Sequence, residues 1–247
     1  MRHQQVVMGI PMSVDVPDRD DAAVREAVTM AFASLHAADR RFSRFDPTSE
    51  VSRYARGEVL VVSDELREVL ALAERAADES GGAFSIRRPD GGLDTDGVVK
   101  GWAAQRAADT LLGAGVDRFC LNAGGDVALA GEPEPGRPWN VGVRHPDDPT
   151  RVLAVLEVRD GAVATSGTYE RGAHIWDGRT GGAAAGLVAA TVVANDLLRA
   201  DIMATTVMAL GPDGVAWAAE HGAAAVVAVR PDGRILNAGG AAVPQLV

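Results

Sequence analysis

The sequence predicts an α+β fold, in which helices pack on a mixed, largely antiparallel sheet. Three observations carry that expectation. Antiparallel-looking strands are interspersed with helical stretches, and no regular βαβ repeat runs through the chain. A closing hairpin is signalled around Pro231-Asp232-Gly233. Apolar residues make up 47% of the chain, enough for a sizeable core and too many for a disordered polymer.

The elements follow in order. Gln4 to Val16 alternates loosely and stops at Pro17, which predicts a strand. A long helix begins at Arg19-Asp20-Asp21, with Val24, Val28, Ala31, Phe32 and Leu35 on its apolar face. Pro47 and Ser49 interrupt it, and Glu58 to Val62 reads as a short strand. Ser63 is placed to cap a helix with Asp64 and Glu65 in its first turn, ending near Gly81-Gly82. Gly91 to Gly97 is a glycine and aspartate loop, and Lys100 to Leu112 a helix stopped by Gly113 and Gly115. Arg118 to Val127 reads as a strand broken by the segment Asn122 to Asp126. Strands are expected at Trp139 to Val143, Val152 to Val158 and Leu187 to Val193, and helices at Leu197 to Leu210 and Gly214 to His221. Ala223 to Val229 and Arg234 to Leu236 form the closing hairpin.

A chain of 247 residues can hold one large domain or two small ones. The most linker-like segment, Pro133 to Pro138, suits a loop better than a boundary, so residues 1–247 are expected to form one domain. The net charge of −10 argues against nonspecific nucleic-acid or anionic-membrane binding. Cys120 is the sole cysteine, which excludes an intrachain disulfide and a multi-cysteine zinc site; it reads as a buried small hydrophobe. The first residues hold no apolar block long enough for a signal peptide, and no run reaches the roughly 20 apolar residues of a membrane span. A cytoplasmic protein without a membrane span is the expectation. Of the 24 basic residues only Lys100 is lysine.

Four segments carry chemistry. Ala164 to Gly181 packs hydroxyls, glycines, His174, two carboxylates and two arginines into eighteen residues. That mixture suits phosphate handling or activation of a hydroxyl, because imidazole accepts a proton near neutral pH and guanidinium forks onto phosphate oxygens. Asp94 to Lys100 delivers a lysine from an acidic glycine loop to a helix start, where free N–H groups attract phosphate; an exposed turn with an N-cap explains it equally well. Asn122 to Asp126 offers paired glycines for close approach of a ligand, or simply a tight turn. Asp201 and Thr205 lie four apart, on one helix face, and offer two hard oxygens to a divalent cation. Among the apolar residues around it Asp201 is costly without a partner.

In this order the segments resemble the ApbE family of flavin transferases. The matching residues are Met8-Gly9, Ser43-Arg44-Phe45, Ser49-Glu50, Gly81 to Phe84, the aspartate loop running into Lys100-Gly101-Trp102-Ala103, Gly124-Gly125-Asp126, Thr165 to Tyr169, His174 to Gly181, and Ala200 to Thr205. The chain departs from the pattern at Ser85, where the family has Asp, at Gly178 for Pro and at Gln105 for Asp, and its segment between Phe84 and Asp94 is short.

The resemblance implies an enzyme that takes FAD as substrate and cleaves it with Mg²⁺. It would attach FMN through a phosphoester to a Thr or Ser of an acceptor protein and release AMP. It further implies a metal site from Asp201, Thr205 and the Gly97 carbonyl. The FAD site would draw on Met8, Phe45, Ala83, Phe84, Ser85, Asp94, Lys100, Thr165, Ser166 and Ile175. His174 is the expected base, with Asp177 as the other group able to accept the hydroxyl proton. An FAD pyrophosphatase with water as acceptor, and a carrier that holds FAD without turnover, are the alternative functions.

Overall fold

The chain opens as a hairpin of Arg2–Val7 (β1) and Ile10–Asp15 (β2). Met8 and Gly9 turn it, with φ of 53° and 73°. Positive φ at both central residues is what a two-residue hairpin turn of primed type needs. The single strand expected from Gln4 to Val16 is therefore two. Methionine is a poor residue for positive φ, so nothing local announced the turn. The computed structural model describes residues 1–168, 175–239 and 245–246.

Helices Ala22–Phe42 (α1), Glu50–Ala55 (α2), Asp64–Glu79 (α3) and Asp96–Gly113 (α4) follow. Side chains of Asp21, Ser49 and Ser63 cap the first three by accepting N–H bonds from Val24, Ser52 and Leu66. No strand forms at 58–62. Leu60 is 91% exposed, and β-branched propensity without a neighbouring strand to pair with does not make a strand. Helix α4 begins at Asp96, which puts Lys100 in its second turn rather than at its start.

Next come strands Phe119–Ala123 (β3), Asp126–Ala130 (β4), Trp139–His145 (β5), Asp148–Val158 (β6), Gly161–Gly167 (β7) and Ala189–Ala194 (β8). The broken strand expected at 118–127 is the β3–β4 hairpin, turned at Gly124 and Gly125 with φ of 69° and 108°. Strand β7, unanticipated, carries the opening residues of the Ala164–Gly181 segment. Helices Leu197–Leu210 (α5) and Gly214–Glu220 (α6) lead to strands Ala225–Val229 (β9), Ile235–Gly239 (β10) and Gln245–Leu246 (β11).

Eight strands form one sheet in the order β1-β2-β3-β4-β7-β8-β9-β10, and β11-β6-β5 form a second. Every pairing between described strands is antiparallel, in keeping with the α+β expectation. The middle of the large sheet is buried on both faces. Ala128, Ala162, Ala164, Val192, Val226 and Ala228 join the helices in one core. The alternate residues Val127, Leu129, Val163, Val193, Ala225 and Val227 meet Val143, Ala154 and Leu156 of the small sheet in another. Because side chains alternate along a strand, the central strands β4, β8 and β9 are buried throughout and close the gap between two layers. Among the described residues no helix is long and apolar enough to cross a membrane.

Helix α5 lies within the helical layer, packed on α4, β7 and β8, and nearly all its faces are apolar. Its contact with α4 runs through Gly101. A Cβ built there would lie 2.8 Å from the Asp201 Cβ and 2.9 Å from the Leu197 carbonyl oxygen. Both neighbours belong to a buried helix and cannot swing away. Gly101→Ala is expected to cost about 1–3 kcal/mol of stability, as overpacking of a core does. The denaturant midpoint measures it, and an unchanged midpoint would show that the helices do not touch there.

Candidate active site

A cavity of about 960 Å³ opens where the β1–β2 turn, the C-terminal end of α1, the start of α4, strand β7 and helix α5 converge. That is the upper end of the usual range for ligand sites. Its floor is polar. Asp126, at the start of β4, and Asp201, in α5, are both almost fully buried. The Lys100 ammonium sits between them, paired to Asp126 Oδ2 and 3.2 Å from Asp201 Oδ1. Each carboxylate is fixed by a second donor: the Thr165 N–H to Asp126 Oδ1 at 2.8 Å, and the Gly101 N–H to Asp201 Oδ2 at 2.9 Å. Burial pushes the Asp201 carboxyl well above the ordinary range, Lys100 pulls it back, and the charge of Asp126 adds to the upward push.

Hard oxygens collect beside this trio. Ser166 Oγ and Thr205 Oγ1 are hydrogen-bonded at 3.2 Å, and both residues line the cavity. Gly97 lies against them: a Cβ there would sit 3.6 Å from Thr205 Cγ2 and 3.4 Å from the Phe84 ring. The three residues expected to hold a metal, Gly97, Asp201 and Thr205, are thus neighbours across α4 and α5. Among the described residues no three His, Cys, Asp or Glu side chains form a metal-binding group. The donor set suits a cation that keeps few protein ligands and completes its shell with water or phosphate, as Mg²⁺ does.

The walls hold most of the other expected residues. Met8, Phe45, Phe84, Ser85, Asp94, Lys100, Thr165, Ser166 and Ile175 all line the cavity. Phe84 is buried in the wall, whereas Phe45 is 83% exposed and stands at the mouth. Asp94 accepts from the Asp96 N–H at 3.0 Å and so shapes the start of α4. Ser85 closes a local turn with the backbone of Arg87.

Two expected residues fall elsewhere. Ala83 is fully buried behind the wall, not in it, and its carbonyl accepts from the Gly178 N–H at 2.9 Å. Gly178 comes so close to this segment that a Cβ would lie 2.7 Å from the Ser85 Cβ. Asp177 does not line the cavity. Both of its oxygens are held by the Arg179 guanidinium at 2.9 Å, which together with the Arg179 N–H keeps its carboxyl below the usual range. A carboxylate so engaged is a weak proton acceptor. His174 lies outside the described residues.

The sequence reading missed several residues of the site. Arg44 pairs with Asp94 at 3.3 Å and Asp96 at 3.2 Å and stacks over Phe45 at 4.8 Å. It stood inside the Ser43-Arg44-Phe45 motif and could have been read there. Arg144 reaches the cavity from β5, where the pairing with β6 shifts register on either side of it; such irregularities re-aim side chains. Asp126 closed the Gly124-Gly125-Asp126 motif, but its pairing with Lys100 had no local signal. Ile10 and Trp176 also line the cavity.

The ApbE family model matches residues 8–88 and 86–227, and the chain belongs to that family. The FAD:protein FMN transferase of Vibrio cholerae is 30% identical over 191 residues, which cover 72% of this chain and 57% of that protein. The enzyme of the same name from Escherichia coli is 33% identical over 135 residues, 51% of this chain and 38% of its own length. The chain thus spans less than two thirds of either relative. In fold it is similar to the flavin transferase ApbE of Vibrio cholerae (TM-score 0.80, 22% identity, 96% of both chains). It is also similar to the ApbE protein of Thermotoga maritima (TM-score 0.81, 23% identity, 96% of both chains).

The buried trio yields a stability prediction. Lys100→Met leaves two buried carboxylates with no cation between them. The loss is expected near 3 kcal/mol in metal-free buffer, the low end for a broken buried pair because a quarter of the Lys100 side chain is exposed. Lys100→Met with Asp126→Asn removes one charge of each sign and should recover most of it. Urea titration of the two variants checks this, and equal midpoints would mean that the two charges do not interact.

Proposed function

We propose that this protein is a Mg²⁺-dependent FAD:protein FMN transferase, with residues 1–247 acting as one catalytic domain. It would cleave FAD and transfer FMN to a Thr or Ser hydroxyl of an acceptor protein, releasing AMP. The observation that carries the reading is the polar floor of the cavity: Asp201, Thr205 and Ser166 beside Lys100, in a space of about 960 Å³, roomy enough for a dinucleotide. Membership of the ApbE family and the names of the aligned relatives support it.

The residues present fit the metal by donor chemistry. Asp201, Thr205 and the Gly97 carbonyl would hold it. When bound, the cation supplies neutralisation of the pyrophosphate charge. Everything else falls to the chain. Lys100 adds a positive charge on the same side of the cavity, where phosphoryl transfer depends on positioning and electrostatics more than on covalent help. Asp126 orients that ammonium and is itself fixed by the Thr165 amide. Phe84, Met8, Ile175 and, at the mouth, Phe45 offer apolar and aromatic surface for the ring systems. Asp94, held by Arg44, would meet the ribose or adenine. We assign the base that takes the acceptor hydroxyl's proton to His174. Asp177 is engaged by Arg179 and instead holds the turn that follows. We assign the protein a cytoplasmic place of action, which subcellular fractionation tests.

Incubation with FAD, Mg²⁺ and a panel of flavin-acceptor proteins, followed by intact-mass and nucleotide analysis, separates the outcomes. Flavinylated acceptor with AMP is expected. Free FMN with AMP would make the protein a pyrophosphatase, and unchanged FAD would make it a carrier. Asp201→Ala is expected to lower transfer at least ~100-fold, corresponding to several kcal/mol of transition-state charge stabilisation. Undiminished Mg²⁺-dependent turnover in that variant would remove the metal assignment. His174→Asn should leave FAD affinity within about twofold and cut transfer by roughly 10²–10⁴-fold, since only the transition state uses the proton acceptor. Parallel loss of affinity and of melting temperature would instead make His174 a structural residue.

A further inference from the structure

The Lys100 ammonium stands between the buried carboxylates of Asp126 and Asp201, 3.2 Å from the second and in direct contact with the first. One of those carboxylates, Asp201, is also the residue assigned to the metal. The two carboxylates cannot move: the Gly101 and Thr165 amides tie them to α4 and β7. Lysine can. Its stem is long and flexible, it lines the cavity, and a quarter of its side chain is exposed toward the space where a ligand would lie. A divalent cation arriving at Asp201 with the ammonium still in place would put three positive charges against two negative ones. The cation and the ammonium would then repel each other at short range, beside carboxylates that are almost fully buried.

We infer that Lys100 is the resident cation of the site: it neutralises Asp126 and Asp201 in the ligand-free protein and moves from Asp201 onto the dinucleotide's pyrophosphate when a divalent cation takes its place. This rests on the metal and FAD assignment above and adds a consequence. The metal alone must displace the ammonium from Asp201 with no phosphate to receive it, and the pyrophosphate alone must draw the ammonium from a carboxylate that would then lie bare. Together, each supplies what the other's binding exposes. Metal and FAD therefore bind cooperatively, and by linkage each raises the other's affinity by the same factor. Without Lys100 the site is open to the metal at once, and most of that coupling disappears.

The test uses a feature of the composition. Lys100 is the only lysine in the chain, so protein labelled with ¹⁵N at lysine Nζ gives one side-chain ammonium signal. In the wild-type protein that signal should stay near its ligand-free position with Mg²⁺ alone and shift when Mg²⁺ and FAD are both present. Mn²⁺ titrations followed by electron paramagnetic resonance give the second arm. Wild-type affinity for Mn²⁺ should rise about tenfold or more on adding FAD, within the range of ordinary coupling energies. Lys100→Met should bind Mn²⁺ about tenfold more tightly than wild type without FAD and gain less from FAD. Equal or weaker Mn²⁺ binding by Lys100→Met, or a lysine signal unmoved by Mg²⁺ and FAD together, overturns the inference. If Lys100→Met does not fold, the wild-type lysine signal decides alone. Failure of the underlying assignment looks different: wild-type protein that takes up no Mn²⁺ even with FAD has no metal site there, and this inference falls with it. Mn²⁺ uptake with FAD beside an unmoved lysine signal overturns the inference only.

Discussion

The contact of α4 with α5, closed by the Gly101 N–H on Asp201, is the constraint on which the cavity depends. A charged residue in a helix as apolar as α5 is tolerated only with partners. Asp201 finds them on α4, and only because residue 101 has no side chain to hold the helices apart. That same closeness brings Gly97 beside Thr205, sets Lys100 over the floor and leaves Phe84 as a wall. Stability and site geometry are thus one arrangement. The carboxylate that would bind a cation also joins the two helices.

Around this junction the fold supplies position at long range. The eight-stranded sheet brings β4 next to β7, so that Asp126 meets the Thr165 amide, and β7 packs on α5, so that Ser166 meets Thr205. The β1–β2 turn supplies Met8 at the lip, where its N–H donates to Asp39 of α1 at 3.0 Å despite the residue's unfavourable positive φ. The small sheet contributes one arginine, Arg144, from beyond the core it shares with the large one. Rigid elements therefore carry the floor, and turns carry the rim.

The parts of this arrangement that were legible in the sequence are those written within a few residues. Asp201 and Thr205 share a helix face because they are four apart, and the aspartate loop before α4 announced itself by composition. The α+β class followed from the order of elements. Pairings between distant segments were not legible. Nothing near Lys100 says that it faces Asp126. The grip of Arg179 on both oxygens of Asp177 is local, two residues on, but composition alone does not tell a paired carboxylate from one left for a proton. Ala83 shared a motif with Phe84, yet one residue of displacement put it behind the wall. The strand expected at 58–62 had the right propensity and no partner, and strand β7 was hidden because its residues read equally well as a glycine and hydroxyl loop.

The central claim is that the cavity floor binds a divalent cation and a pyrophosphate side by side. Diffraction from crystals grown with FAD and Mn²⁺, with the metal located by its anomalous signal, tests it most directly. The account predicts one strong peak bounded by Asp201, Thr205 and the Gly97 carbonyl, with the pyrophosphate against it and the Lys100 ammonium on a phosphate oxygen. Dinucleotide bound with its phosphates away from this floor, or Lys100 still seated between Asp126 and Asp201 with no metal beside it, would contradict the account.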